Sequence, residues 1–145
     1  MPQVTLTIAS RLDAVPLLGH LVRSLCLHAG LASLEANEVE VCVAEVVNNS
    51  IKHAYGGDPT RSVAVEVTLL ATELTLDIWD SGRSEKPSNI HQDHRHAFNL
   101  DPDHPEDFPE SGRGLAIIQE IMDSFEYTPG TERNRFRLTK RLKSS

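Results

Sequence analysis

The 145-residue chain has the commonest size of a single domain, and its 39% hydrophobic and 24% charged residues are in globular rather than disordered proportion. A net charge of −7, with clustered basic residues confined to Lys140, Arg141 and Lys143, excludes the basic face of a nucleic-acid binder. No apolar run approaches the ~20 residues of a membrane helix, the N-terminus lacks the apolar segment of a signal peptide, and Cys26 and Cys42 stand outside any CxxC. A cytoplasmic protein with reduced thiols, no disulfide and no zinc site is expected.

Residues 3–8 alternate, with Val4, Leu6 and Ile8 on one side, as in a half-buried strand. Ser10 is placed to cap a helix with Asp13 three residues on; Asp13 is an alternative cap for a later start, compatible with Pro16 in the first turn. Val15, Leu18, Leu21, Val22 and Leu25 recur at helical spacing up to Gly30. Ser33 is expected to cap a second helix running to about Tyr55, where GGDP breaks it. Two alternating strands, 63–70 and 74–80, have a link short enough for an antiparallel hairpin. From Ser81 to about Gly112 regular patterning stops. This stretch holds Gly82, Pro87, Pro102, Pro105, Pro109, His91, His94, His96 and His104, and is expected to be a lid or binding loop, at about 83–112. A third helix follows to about Asp123, with Leu115, Ile117, Ile118, Ile121 and Met122 expected to pack deeply. Residues 124–128 and 133–142 close as a hairpin around Pro129-Gly130.

The order β-α-α-β-β-lid-α-β-β predicts one α+β domain over residues 1–145. Its form is a two-layer sandwich of a mostly antiparallel sheet with helices on one face, the other face being solvated or used in dimerisation.

Three stretches have unusual polar content. In residues 41–55, VCVAEVVNNSIKHAY, and just before them, a helical period of roughly 100° gathers Val39, Val43, Val46, Val47, Ser50 and Ala54 on one side. Glu45 and Asn49 lie opposite, one turn apart, flanked by Asn48 and Lys52. Asn is a mediocre helix former, so this is either a solvated face or a carboxylate and a carboxamide aimed at a ligand. Asp80-Ser81-Gly82 follows a strand and reads as a turn or a ligand contact. Gly112-Arg113-Gly114 opens a helix, as a plain turn or as a phosphate site made of free N–H groups and the helix dipole.

Together these stretches carry a resemblance. EVVNNSIKHAY resembles the N-box of the GHKL ATPases, whose nucleotide site has the Bergerat fold; DSG resembles their G1 box and SGRGLAIIQEIMD their G2 box. The short length, the ending RFRLTKRL and Glu-x-x-x-Asn followed by His-Ala-Tyr resemble the anti-sigma factor serine kinase branch. The resemblance implies ATP and Mg²⁺ as cofactors, with Asn49 giving its side-chain oxygen to the Mg²⁺ that bridges the phosphates and Glu45 the general base for a serine hydroxyl. It implies that Asp80 accepts from the adenine amino group and that Gly82 lets the base lie close. Gly112, Arg113 and Gly114 would then close on the phosphates. Lys52 contacts phosphate or forms a helix-face ion pair, Asn48 contacts phosphate or is exposed, and His53 is expected to be packed or hydrogen-bonded. The pattern departs at Ser84, where a second glycine is usual in the G1 box. The histidines of residues 91–104 form no recognised metal spacing and are expected in a solvated lid. The implied function is a protein serine/threonine kinase that holds a sigma factor inactive and phosphorylates a serine of a STAS-type antagonist, as a homodimer, without nucleic acid or membrane. A nucleotide-binding module without kinase activity is the alternative. A detached sensor-kinase domain fits less well, since no phospho-accepting histidine helix is present.

Overall fold

Strand β3 (Glu73–Asp80) is the middle of an antiparallel five-stranded sheet. On one side it pairs with β2 (Ser62–Leu69), which pairs with β1 (Gln3–Ala9); on the other it pairs with β5 (Asn134–Arg141), which pairs with β4 (Ser124–Thr128). The computed structural model describes residues 2–82 and 112–143, and for residues 112–114 the backbone alone. The expected lid, with Ser84 and the histidines of residues 91–104, lies outside the described residues.

Three helices cover one face: α1 (Val15–His28), α2 (Ser33–Asn49) and α3 (Gly112–Ile121). Every second residue of the strands points to them, because side chains alternate along a strand. Val63, Val65 and Val67 of β2, Leu74, Leu76 and Ile78 of β3, and Phe136 and Leu138 of β5 meet Leu18 and Val22 of α1, Val39, Val43, Val46 and Val47 of α2, and Leu115 and Ile118 of α3 in one core. Burial of each such side chain is worth ~1.5–3 kcal/mol, so the α2 valines hold that helix against the sheet and turn its opposite side outward. Cys26 and Cys42 lie unpaired in the same core, where burial pushes both thiols up to about 12.

The other sheet face is polar. Asp77 is only 3% exposed because Arg137, directly opposite on β5, donates to both its carboxylate oxygens at 2.6 and 3.1 Å. This pairing holds the Arg137 guanidinium above its usual pKa. Arg135 donates to Glu126 on β4 at 2.9 Å, and the Arg133 guanidinium lies 3.8 Å from the Trp79 ring centre.

The helix starts differ from expectation. Residues 12–14 form a 3₁₀ turn, and α1 begins at Val15 with Pro16 in its first turn. Neither expected cap is used: Asp13 pairs with Arg11, while buried Ser10 donates to the carbonyl of Asp58 at 2.5 Å and accepts the N–H of Arg61. The hydroxyl has found partners in a distant loop, which outcompete the local turn. Ser33 is the first residue of α2 and not its cap; Ala32 holds that position, and its N–H donates to Glu35. Leu21 and Ile117, read as core residues from their spacing, are 43% and 37% exposed, since each falls just beyond the buried stripe of its helix.

Candidate functional site

The end of α2 sets the geometry of the site. The helix widens after Asn49 into a π turn over Ser50–Ala54, in which the N–H of Tyr55 reaches back to the carbonyl of Ser50. Such single π turns interrupt α-helices frequently at functional sites. Gly56 and Gly57, with φ of 59° and 82°, then turn the chain out, a backbone conformation that glycine adopts most readily. The helix does extend to the expected end, but its last turn is not α. Glu45 and Asn49 are half-buried on α2, one turn apart, facing away from the buried valines. Asn48 is half-buried too, and Lys52 is exposed. His53 is exposed, which corrects the expectation of a packed histidine: the π turn carries it outward.

Asp80 ends β3 and is buried, at 7% exposure. Its Oδ1 accepts the side-chain Nδ2–H of Asn134 at 2.9 Å and the backbone N–H of Gly82 at 3.0 Å. Oδ1 is thus fixed by the protein, and Oδ2 has no partner among the described residues. Asn134 donates to the carbonyl of Gly82 as well, at 3.1 Å, and accepts the N–H of Gly130 at 3.3 Å. A buried carboxylate held in this way presents a directed acceptor, the requirement for reading an exocyclic amino group.

The Asp80-Ser81-Gly82 turn sits directly against the end of α2. A side chain on Gly82 would place its Cβ 2.5 Å from the carbonyl oxygen of Ala54, so only glycine allows the two backbones this close. Tyr55 and Arg61 add hydrogen bonds to Ser81 from the same side. The helix that carries Glu45 and Asn49 is thereby brought to the strand end that carries Asp80.

Gly112, Arg113 and Gly114 form the first turn of α3, which packs against α2. The last turn of α3 is tied to the far end of the sheet. There Lys140 donates to the carbonyl of Ile121 at 2.7 Å, and Asp123 bonds Thr139 and Arg141. Asp80 pairs with Asn134 at the opposite end of β5. Over ten residues, ~15 Å of helix, the first turn therefore points back to the Asp80 end. Its N–H groups and positive dipole suit phosphate. Mg²⁺ takes oxygen ligands and few of them from protein, a need the Asn49 carboxamide oxygen meets; among the described residues no group of three or more His, Cys, Asp or Glu could hold a metal by itself.

Asn134 and Arg61 were not singled out by the sequence patterns, and Tyr55 entered only as a helix end and the last residue of His-Ala-Tyr, without a role. One signal for Asn134 was present: Asn is depleted in strands, yet it opens the alternating run NRFRLTKR.

An antiparallel sheet backed by helices on one face, with a directed carboxylate at a strand end beside a Glu-x-x-x-Asn helix, defines a nucleotide-binding domain. Residues 8–140 match the histidine kinase-like ATPase domain, and the chain belongs to that family, whose kinase-like fold uses ATP. It is 31% identical over 112 residues to the anti-sigma F factor of Oceanobacillus iheyensis, a match covering 77% of this chain and 73% of the relative. It is 28% identical to the serine-protein kinase RsbW of Bacillus licheniformis over 61% of this chain, which spans only 54% of that relative. The structure of the RsbU and RsbW domains of a Mycobacterium tuberculosis protein covers 98% of this chain and 33% of that one, with a TM-score of 0.67 at 16% identity, a likeness of fold. One of these curated relatives is named an anti-sigma factor and the other a serine-protein kinase, and the solved structure adds a likeness of fold alone. No helix among the described residues is long and apolar enough to cross a membrane.

Proposed function

We propose that the chain is an ATP- and Mg²⁺-dependent protein serine kinase that holds a sigma factor inactive and phosphorylates a serine of a STAS-type antagonist. Asp80 accepts the adenine amino group through Oδ2, and Gly82 lets the ring lie against the backbone. Asn49 supplies its side-chain oxygen to Mg²⁺. The first turn of α3, Gly112 to Gly114 with the Arg113 guanidinium, and Lys52 receive the phosphates. Glu45, one turn before Asn49, takes the proton from the serine hydroxyl as the γ-phosphoryl group moves to it. Mg²⁺ would neutralise phosphate charge when bound; the chain itself positions the reacting groups and supplies charge-stabilising donors, which is most of what phosphoryl transfer needs. A cytoplasmic homodimer is the proposed working form, on the resemblance to the family.

The observation that carries this reading is the buried Asp80 carboxylate, one oxygen clamped by Asn134 and Gly82, set against the end of the Glu45–Asn49 helix. The test is transfer of labelled γ-phosphate from ATP to candidate STAS antagonists. Glu45→Ala should reduce transfer by about 10²–10⁴-fold, the usual contribution of a general base, and leave ATP binding in place. Undiminished transfer by Glu45→Ala would remove the base assignment. No transfer by the wild type to any antagonist, with ATP still bound, would make the chain a binding module of the same fold.

A further inference from the structure

We propose that Tyr55 and Arg61 are positioning residues for nucleotide selection: they lock the Asp80-Ser81-Gly82 turn onto the end of α2 and so set the angle at which Asp80 meets the base. The proposal rests on the reading of Asp80 as the adenine acceptor.

Tyr55 is buried, at 8% exposure, and both capacities of its hydroxyl are used. It donates to the carbonyl of Ser62 at 2.6 Å and accepts the N–H of Ser81 at 2.8 Å. The Arg61 guanidinium lies 4.9 Å from the centre of the Tyr55 ring, and its Nη2 donates to the carbonyl of Ser81 at 3.0 Å and to Ser81 Oγ at 3.1 Å. Every polar group of Ser81 is thus held by two side chains from one short segment. Ser81 stands between Asp80 and Gly82, so fixing both of its peptide groups fixes the direction in which the Asp80 side chain leaves the strand. On the far side Asn134 holds Asp80 Oδ1 and the carbonyl of Gly82. The turn is therefore clamped from two directions.

The clamp is asymmetric in what it connects. Asn134 belongs to the sheet, whereas Tyr55 directly follows the π turn after Asn49. A displacement of the α2 end reaches Ser81 directly through the Tyr55 hydroxyl and reaches Gly82 through Ala54. The bracket makes the base-reading carboxylate and the Glu45–Asn49 helix one rigid unit. A turn merely closed by packing would keep its shape through the Tyr55 ring alone and would not need the hydroxyl.

The experiment measures displacement of a fluorescent ATP analogue by ATP and by GTP, in Mg²⁺, on the full chain, for wild type, Tyr55→Phe, Arg61→Lys and Asp80→Asn. Tyr55→Phe keeps the ring and leaves the Ser81 N–H and Ser62 carbonyl unpaired. It should weaken ATP by about tenfold, the order expected for an unmade hydrogen bond, and leave GTP unchanged, so the ATP:GTP preference falls by the same factor. Arg61→Lys, at an exposed position, loses the planar guanidinium that lies 4.9 Å from the Tyr55 ring centre and so aims Nη2 at both Ser81 O and Oγ; it should move the preference in the same direction and serves alone if Tyr55→Phe does not fold. A general loss of structure would weaken both nucleotides equally and would count against the bracket. ATP affinity and preference unchanged in both variants, with Asp80→Asn impaired, would overturn the bracket alone. Unchanged ATP affinity in Asp80→Asn would remove the adenine reading and the bracket with it.

Discussion

Truncating Asn134 to alanine tests how the candidate base site is held. Asn134 is 2% exposed and takes part in three hydrogen bonds: to Asp80 Oδ1 at 2.9 Å, to the carbonyl of Gly82 at 3.1 Å, and from the N–H of Gly130 at 3.3 Å. The first has a carboxylate acceptor and is worth ~1.5–3 kcal/mol. The others are partly exposed and neutral, and ~0.5 kcal/mol each is reasonable, the Gly130 bond being long. The sum is ~3 kcal/mol, below the ~5–15 kcal/mol of a whole domain, so the variant should fold. At this chain length that corresponds to a fall in Tm of about 10 °C. Asp80 Oδ1 would retain only the Gly82 N–H, its rotamer would loosen, and ATP affinity should fall about tenfold, the equivalent of ~1.4 kcal/mol. Calorimetric melting of the ligand-free chain and ATP titration measure the two effects separately. Asn134→Leu, which removes the polar contacts without leaving so large a cavity, should reproduce the loss of affinity. A Tm within about 2 °C of wild type, under ~1 kcal/mol on the same scale, with ATP affinity intact, would refute the clamp.

Asn49→Ala should weaken ATP in the presence of Mg²⁺ and have little effect in EDTA; equal calorimetric affinities with Mg²⁺ for variant and wild type would remove the metal role. Gly82→Ala sets a Cβ 2.5 Å from the Ala54 carbonyl oxygen and 2.8 Å from its Cβ, so two backbones must part. A stability loss of ~1–3 kcal/mol is expected from this overpacking, with a loss of ATP binding that melting and titration would reveal; wild-type values for both would mean the contact is relieved at no cost. For Cys26 and Cys42 the folded thiols titrate at about 12 against an ordinary value of 9.0. Below that ordinary value both states hold neutral thiols and the stability is fully present. Above it the unfolded chain ionises first, and stability falls as pH rises towards the folded value. Urea midpoints should drop between about pH 9 and 11, and Cys26→Ala/Cys42→Ala should flatten that slope; a parallel slope in the variant would assign the alkaline loss to other groups.

The element order was legible because its signals are local. Val4, Leu6 and Ile8 alternate within one strand, the valines of α2 repeat within one helix, and GGDP and Pro129-Gly130 mark turns where they stand. Strings such as EVVNNSIKHAY and DSG could likewise be read in place. What sequence reasoning missed was decided between distant segments. Ser10 has the composition of a cap but bonds to residues about fifty positions away, and nothing near it in the chain announces that. The π turn is a small shift of hydrogen-bond partners that no hydrophobic period records. Asp77 reads as an exposed strand residue until Arg137 is seen opposite it. Asn134 lies 54 residues from the carboxylate it holds, so its role follows only from the register of β5 on β3.

That register also orders events in time. Strand β1 finds its partner only when Ser62–Leu69 has been synthesised, because Gln3 pairs with Thr68. The helical hairpin of α1 and α2 is local and can form in the interval. β5 inserts between β3 and β4 and is the last of the described elements, and its first residue is Asn134. Asp80 can be on the ribosome's far side, with β2 already paired to β3, and still lack the amide that orients it. A nascent chain thus lacks the amide that holds Asp80 until residue 134 has been made, and a product cut short before it would carry the polar helix, the turn and the carboxylate without the bond that fixes Asp80 Oδ1.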